Sequence, residues 1–408
     1  MAPIETKLVD VVLKKIRSKR EEGAERTSHA ATSSPAAGPV SVRQAQFTDF
    51  DRICTMNVEL GQGPDSRENW NRLWRDNPAV SNADGASCIG WTLEASGELV
   101  GFLGSIPLLY EFEGRTLNAA ATCRLAVRPA YRGFTHLLIA SYFRQKNVDL
   151  FLNTTATVSA GKMMLALKAT PLPQPEYETV LFWVLDTRRF TKAVLQKMGV
   201  HSSLVRAGGA VASLGLRGDI AVRGRTPKSK PGKFTLLEHS IAEIGEDFAR
   251  FWEDNSAGTA PLMAKRTPAI MRWHFELPLS QRRSVVLSCY SGKVLVGYAI
   301  VLHDPTSKDG IKRSAIADLM VKDRDAQTVG QLLSAAHKCA KDAGSHSLEV
   351  MGFPRHLRQI LMQWKPYWRK YPACPFYFKA RDRALHEQLA DENAWYACPF
   401  DGDSTIWP

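Results

Sequence analysis

The residues best suited to chemistry lie where a predicted strand meets a predicted helix, in the segment ATCRLAVRPAYRGFTHLLIASYF (121–143). The apolar strand ends at Val127, a turn containing Pro129 follows, and the pair Arg132-Gly133 leads into the helix. Gly133 lets the backbone turn its N–H groups toward a ligand. The unpaired N–H groups and the dipole at a helix start favour phosphate. The segment therefore predicts a site for a phosphate-bearing ligand.

The motif V-x-P-x-Y-R-G (127–133) directly before an amphipathic helix resembles the cofactor loop of the GCN5-related N-acetyltransferase superfamily, and the resemblance covers most of residues 41–190. It implies that the loop holds the pyrophosphate of acetyl-CoA or another acyl-CoA. It also implies that the strand before the loop pairs with the pantetheine arm, with one strand amide stabilising the oxyanion as an amine attacks the thioester. The implied cofactor-binding residues are Leu125, Ala126, Val127, Arg132, Gly133, Phe134, Thr135, His136, Leu137 and Asn153. Asn153 has an alternative role as the cap of the following helix.

Two loop positions depart from the family pattern R-G-x-G-x-G/A, because Thr135 and Leu137 stand where that pattern has small residues. Leu137 would crowd the backbone where phosphate oxygens approach. Thr135 would offset this as a cap or a hydroxyl donor. Whether the altered loop binds a cofactor stays open at the level of sequence.

No catalytic acid or base is assigned from the sequence. The family's frequent tyrosine acid is missing from the helix after Asn153, and direct attack with a water-relayed base stays open. The candidates considered are better explained as surface groups or caps: Glu111, Glu113, His136, Ser159 and Lys162.

The elements around the loop occur twice along the chain. Three pairs of anchors are separated by 194 to 196 residues: Gly101 with Gly297, Val127 with Val321, and Leu138 with Leu332. Such self-similarity predicts an internal duplication. In each half, helices precede an apolar hairpin, a third strand, a helix and a fourth strand. This order predicts an α/β (α+β) fold of two tandem lobes, each a mixed, mainly antiparallel sheet flanked by helices.

The second lobe is expected to be degenerate. Ala326 and Gln327 occupy the positions that match Arg132 and Gly133, so this half lacks the phosphate-binding loop. The stretch R-T-P-x-x-x-R-W (266–273) and the closing sequence Asp401-Gly402-Asp403 also resemble tandem members of the superfamily.

Composition narrows the class of protein. The length of 408 residues favours two domains, possibly three, over one. The composition, 44% hydrophobic and 23% charged, indicates a globular protein and excludes wholesale disorder. No apolar run reaches the roughly 18–20 residues that cross a bilayer, and no secretory cleavage site follows the N-terminal helix pattern. Seven scattered cysteines without a C-x-x-C pair indicate neither disulfides nor zinc. These features predict a reduced, cytoplasmic protein without a bound metal.

Most of the net charge of +12 lies between Arg188 and Lys233, a segment that contains eleven basic residues and one acidic residue. The last part of this segment, RGRTPKSKPGK (223–233), predicts a mobile, solvated linker. The alternative is a basic rim that attracts an anionic acceptor or cofactor. Aromatic residues are not interleaved with the charges, which argues against nucleic acid as a partner.

Four parts are predicted: an N-terminal helix and disordered tract (1–40), an acyl-CoA-binding lobe (41–190), a basic connecting segment (191–233) and a degenerate second lobe (234–408). The N-terminal helix is a frayed extension or, as the alternative, a weak peripheral membrane or partner anchor.

The resemblance implies an acyl-CoA-dependent N-acyltransferase, with acetyl-CoA as the favoured co-substrate and a small-molecule amine as the acceptor. Two alternatives remain: a catalytically inactive binding or scaffold protein, and an enzyme that transfers an aminoacyl or long-chain acyl group.

Overall fold

The computed structural model describes residues 39–80, 88–200, 202–228, 234–257, 261–275, 283–304, 310–371 and 375–406. Residues 1–38, which include almost all of the predicted N-terminal helix and disordered tract, lie outside these ranges. Those two predictions are therefore untested.

Strands and helices of the first half follow the predicted order. The strands are β1 (Val40–Gln44), β2 (Gly90–Ala95), β3 (Glu98–Phe112), β4 (Arg115–Val127), β5 (Leu150–Asn153), β6 (Thr170–Pro171) and β7 (Thr179–Val184). The helices are α1 (Phe50–Glu59), α2 (Arg67–Trp74), α3 (Thr135–Phe143), α4 (Val158–Ala166), α5 (Thr187–Lys197) and α6 (Ser202–Arg223).

The second half repeats this order. Its strands are β8 (Phe234–His239), β9 (Met263–Ala264), β10 (Arg283–Ser291), β11 (Val294–Asp304), β12 (Arg313–Val321), β13 (Ser347–Val350), β14 (Tyr367–Lys370) and β15 (Tyr377–Ala380). Its helices are α7 (Glu246–Ser256), α8 (Pro268–Phe275), α9 (Ala326–Asp342), α10 (Arg355–Met362) and α11 (Arg383–Gln388).

The described strands form two mixed sheets, one in the order β1-β2-β3-β4-β5-β15-β6 with β9 beside β3, the other in the order β14-β7-β13-β12-β11-β10-β8. Among the strand pairs of these two sheets in the described residues, β4–β5 and β12–β13 are parallel and the others are antiparallel. Helices α3 and α9 connect the parallel strands. The predicted fold class, two mainly antiparallel sheets flanked by helices, is confirmed.

The anchors of the predicted duplication occupy equivalent places. Gly101 pairs with Val127 in the first sheet, as Gly297 pairs with Val321 in the second. At both glycines a Cβ would come within 3.1 Å of the paired valine side chain. The same close contact therefore favours glycine at both positions. Leu138 and Leu332 are both fully buried in the connecting helices.

The two halves exchange strands. Strand β7, from the first half, pairs with β13 in the second sheet, and β15, from the second half, pairs with β5 in the first. One apolar cluster runs through both sheets, from Trp74 and Phe102 to Leu332 and Phe353. The strand exchange and the shared core make the two lobes a single folding unit.

Much of the basic segment is helical, since α5 and α6 occupy residues 187–197 and 202–223 and pack on each other. Beyond α6, Arg225 bonds to Asp219 at 2.7 Å and lies 4.2 Å from the centre of the Tyr367 ring. The part of the predicted linker that precedes residue 229 is thus held against the second sheet.

Candidate functional site

A cleft opens where β4 and β5 diverge. Their parallel pairing covers only Ala119–Ala121 of β4, although β4 continues to Val127. The Tyr142 hydroxyl of α3 lies at the divergence, where it bonds to the carbonyl oxygen of Ala120 at 2.5 Å and accepts the N–H of Leu152 at 3.1 Å. Tyr142 is fully buried. It therefore satisfies backbone groups of both strands at the point where they separate.

We expect Tyr142→Phe to lower the free energy of unfolding by about 1–3 kcal/mol, because it leaves buried backbone groups of β4 and β5 without a partner. Urea unfolding would measure the change. Tyr371→Phe is the control, since Tyr371 is 40% exposed and the substitution should change stability by less than about 0.5 kcal/mol. Equal stability of the two variants would show that the Tyr142 hydroxyl is not needed at the divergence.

Strand β4 bends as it leaves β5. Arg124 has a positive φ of 51°, and the pairing with β3 shifts register between Phe102 and Gly104, which together mark a β-bulge. Directly after the bulge, the carbonyl oxygen of Leu125 accepts a hydrogen bond of 3.0 Å from the Gln62 side chain. The other amide atom of Gln62, Oε1, is buried and has no partner among the described residues. Sequence analysis missed Gln62, which no local pattern distinguishes.

The predicted loop is an exposed 3-10 turn, Pro129–Phe134, that runs into α3. Arg132, Gly133 and His136 are exposed. A Cβ at Gly133 would meet nothing within 4 Å. The Thr135 hydroxyl donates to the Arg132 carbonyl at 2.7 Å and so stabilises the turn, but it is not the cap of α3, whose N-cap is Phe134.

The rest of the predicted loop packs against the protein. Leu137 and Phe134 are half-buried against the apolar cluster beneath α3. The predicted strand residues Leu125, Ala126 and Val127 are the last three residues of β4, directly before the turn. The structure thus brings the predicted strand and loop residues to the same end of the cleft.

Asn153 is buried at the end of β5, on the other side of the cleft. The alternative in which it caps the next helix is wrong, because α4 begins at Val158 and its N-cap is Thr157, which accepts the N–H of Ala160. Two of the acidic candidates also lie elsewhere. Glu111 pairs with Lys265 at 3.5 Å, and Glu113 lies in the β3–β4 turn, at the far end of the hairpin from Val127.

Asp403, among the last described residues, contacts the segment that follows β5. Asp403 accepts a hydrogen bond of 2.6 Å from the Thr154 hydroxyl and a bifurcated one from the Thr155 hydroxyl, whose oxygen lies 3.1 and 3.0 Å from the two carboxylate oxygens. Burial raises the pKa of Asp403, and the two threonine donors offset this only in part. Burial, with Asp403 nearby, also raises the pKa of the Cys123 thiol on β4. Asp403 therefore lies against the residues that follow β5, and its charge acts on Cys123 of β4.

In the second lobe the equivalent cleft is filled by the chain itself. The N–H of Phe400 donates to the Ala317 carbonyl of β12 at 3.1 Å, and the Tyr396 hydroxyl donates to the Leu319 carbonyl of the same strand. At the start of α9, the Asp325 carboxylate accepts the N–H groups of Gln327 and Thr328 at 3.3 and 2.7 Å. The place that a phosphate would take at this helix start is therefore occupied by a carboxylate.

Two cavities elsewhere do not coincide with the cleft. A surface cavity of about 250 Å³ lies beside Arg115 and Asp149, at the opposite end of β4 and β5, and a cavity of about 10 Å³ lies beside Trp273 and Phe400. Neither is lined by the predicted loop. Within the described ranges, no cluster of His, Cys, Asp or Glu is arranged to hold a metal ion, and no helix has the length and apolarity to cross a membrane.

Solved structures share this architecture. A GCN5-related N-acetyltransferase from Anabaena variabilis ATCC 29413 aligns with a TM-score of 0.54 at 9% identity, over 84% of this chain and 73% of that one. A protein of unknown function from Enterococcus faecalis V583, described as a probable N-acyltransferase, aligns with a TM-score of 0.52 at 11% identity over the same shares. No protein-family model and no curated protein matches the sequence. The predicted likeness is confirmed at the level of structure: the chain has the fold of the GCN5-related N-acetyltransferases.

Proposed function

We propose that the protein is an acyl-CoA-dependent N-acyltransferase that binds its acyl-CoA in the first lobe. The observation that carries the proposal is the cleft itself. Residues 122–127 of β4 extend beyond the pairing with β5 and end at the exposed loop before α3. An extended ligand arm can pair with the free edge of such a strand, while the helix start attracts its phosphates.

In this proposal the pyrophosphate lies against the loop residues Arg132–Leu137 and the pantetheine arm lies along Leu125–Val127. An amide of β4 stabilises the oxyanion of the tetrahedral intermediate. Asn153 faces the cofactor from the end of β5. Acetyl-CoA is the favoured co-substrate and a small-molecule amine the favoured acceptor.

The second lobe takes no cofactor in this proposal. Its strand β12 already bonds to Tyr396 and Phe400, and Asp325 occupies the start of α9. Its contribution is structural, because it closes the shared core and carries the last described residues to the segment that follows β5.

A second candidate is a binding or scaffold protein with the same fold. The loop supports this candidate, because the Thr135 hydroxyl is bonded to the Arg132 carbonyl and Leu137 packs on the core. A loop with larger side chains at these positions leaves less room for phosphate oxygens than one with glycine.

Thermal unfolding with acetyl-CoA, hexanoyl-CoA, myristoyl-CoA and free CoA tests the proposal. A ligand that binds the native state stabilises it by about 2.7 kcal/mol at a hundredfold excess over its dissociation constant. We expect at least one acyl-CoA to raise the melting temperature, and the most effective chain length identifies the donor. If none of the four ligands raises it, the proposal is overturned and the scaffold candidate becomes the leading one.

A further inference from the structure

The last described residues, 395–406, form a strap that we call the C-terminal strap. Its first part lies in the second lobe's cleft, through Tyr396 and Phe400. Its last part is fixed by the first lobe, where Arg72 of α2 donates to the Ile406 carbonyl at 2.8 Å. Asp403 lies between these attachments and is only 4% exposed. The strap therefore places a carboxylate against the segment that follows β5, with little freedom to move.

Thr155 connects this buried carboxylate with solvent beside the end of β5. It follows β5 by two residues and is exposed, whereas Thr154 and Asp403 beside it are buried. Its hydroxyl lies at 3.0 and 3.1 Å from the two carboxylate oxygens. A hydroxyl with one side on solvent and the other on a carboxylate can pass a proton inward.

We propose that Thr155 and Asp403 form the proton relay of the first lobe's reaction, with Thr155 contacting the acceptor amine and Asp403 receiving the proton. The proposal rests on the proposed function and names groups for the base that the sequence left unassigned. Thr154 is a positioning residue, since its hydroxyl bonds to Asp403 at 2.6 Å and accepts the Asp403 N–H at 3.2 Å.

The step balances as follows for a neutral amine. The nitrogen lone pair forms the C–N bond with the thioester carbonyl carbon, whose π electrons move onto oxygen. The amine proton passes to the Thr155 oxygen as the Thr155 hydroxyl proton passes to Asp403. The intermediate then re-forms the C=O bond and breaks the C–S bond. The CoA thiolate takes a proton from water, and Asp403 returns its proton to solvent.

The surroundings make the Asp403 carboxylate a stronger proton acceptor than an exposed one. Burial raises the pKa of Asp403, which strengthens it as a base. Burial also raises the pKa of Cys123 on β4 and of Tyr142 on α3, so both groups stay neutral. On α8, burial lowers the pKa of His274, whose ring contacts Thr405 of the strap. Arg72 donates to the Ile406 carbonyl of the strap, and burial lowers its pKa to about 10, so it stays charged.

The experiment first measures binding and then turnover. Thermal unfolding selects the acyl-CoA that most raises the melting temperature of the wild type, and its binding to each variant is measured in the same way. CoA release from that acyl-CoA is then followed by liquid chromatography with methoxyamine as the acceptor. Methoxyamine is a weakly basic primary amine that stays neutral over the working range of about pH 6 to 9, so its own titration does not enter the profile.

We expect Asp403→Asn and Thr155→Val to bind the acyl-CoA like the wild type but to release CoA roughly 100-fold more slowly, the usual size of a general-base contribution. Thr155→Ser should retain most of the rate, because it keeps the hydroxyl. The control Ser159→Ala removes an exposed hydroxyl four residues away and should be unchanged. The wild-type rate should fall at acid pH as Asp403 is protonated, and Asp403→Asn should lack this acid limb.

Failure of the relay and failure of the proposed function give different results. If no acyl-CoA binds the wild type, the proposed function fails and the relay fails with it. A second result overturns only the relay: an acyl-CoA binds, but the wild type, Asp403→Asn and Thr155→Val release CoA at equal rates. This holds whether the shared rate is fast or slow. An acyl group found on Thr155 by mass spectrometry also overturns it, since Thr155 would then be a nucleophile.

Discussion

Replacing Arg266 with leucine is expected to cost the protein at least about 3–5 kcal/mol of stability, the usual result of leaving a buried charge without its partner. The Arg266 side chain has no exposed surface, and its guanidinium bonds to Asp318 at 3.0 Å and Asp401 at 3.2 Å. Burial alone would lower the pKa of Arg266, but the two carboxylates outweigh it and hold the guanidinium charged. Without that charge, both carboxylates stay buried with no cation.

The same contact joins distant parts of the chain. Asp318 lies on β12 and Asp401 on the C-terminal strap, and Asp401 also accepts the N–H groups of Ala264 and Cys398 at 2.8 and 2.9 Å. The Phe400 ring lies 4.8 Å from the guanidinium carbon. Losing Arg266 should therefore loosen the strap as well as β12.

The urea midpoint and the yield of soluble protein measure the effect, with Arg383→Leu as the matched control. Arg383 pairs with Glu387 at 2.8 Å, but its side chain is 92% exposed, so its loss should cost less than about 0.5 kcal/mol. The Arg266→Leu defect should shrink at acid pH. A buried acid with a raised pKa favours the folded state below its unfolded pKa and loses that advantage as pH rises. A defect of the same size at acid and neutral pH would point to lost packing instead of unpaired charge.

Local patterns were enough to predict the two lobes. The anchors at Gly101 and Gly297 mark a physical constraint, the close approach of each glycine to a valine of the neighbouring strand, and such a constraint leaves a visible trace in sequence. The loop before α3 was located for the same reason, since its turn and helix start are encoded within a few residues.

The strand exchange and the residues of the proposed relay could not be predicted in this way. Strand β15 pairs with β5 across more than two hundred residues, and no local pattern states which edge a strand joins. Asp403 and Thr155 are ordinary polar residues until the strap brings them together. The sequence did contain one signal, because the two motifs noted in the second half, at Arg266 and at Asp401–Asp403, meet around the strap.

Gly133→Glu is expected to weaken acyl-CoA binding by roughly 100-fold or more, the second large effect. The proposed function places the pyrophosphate at this loop, and a carboxylate there adds repulsion of up to about 4 kcal/mol per phosphate charge at about 4 Å and an effective dielectric of about 20. Its side chain also takes up space. At a ligand concentration that stabilises the wild type by about 2.7 kcal/mol, a hundredfold weaker complex is stabilised by only about 0.4 kcal/mol.

The structure makes this variant a clean test, because a Cβ at Gly133 meets nothing within 4 Å and the residue is exposed. Folding should thus be unaffected. Gln327→Glu is the matched control, since Gln327 is exposed at the equivalent helix start of the second lobe, where Asp325 already accepts its N–H. Both variants add one negative charge to a helix start, which stabilises the helix slightly in each case. The ligand-induced rise in melting temperature should persist in Gln327→Glu and almost vanish in Gly133→Glu. If Gly133→Glu keeps the full rise, the phosphates do not lie at this loop, and the site must be sought along another edge of the cleft.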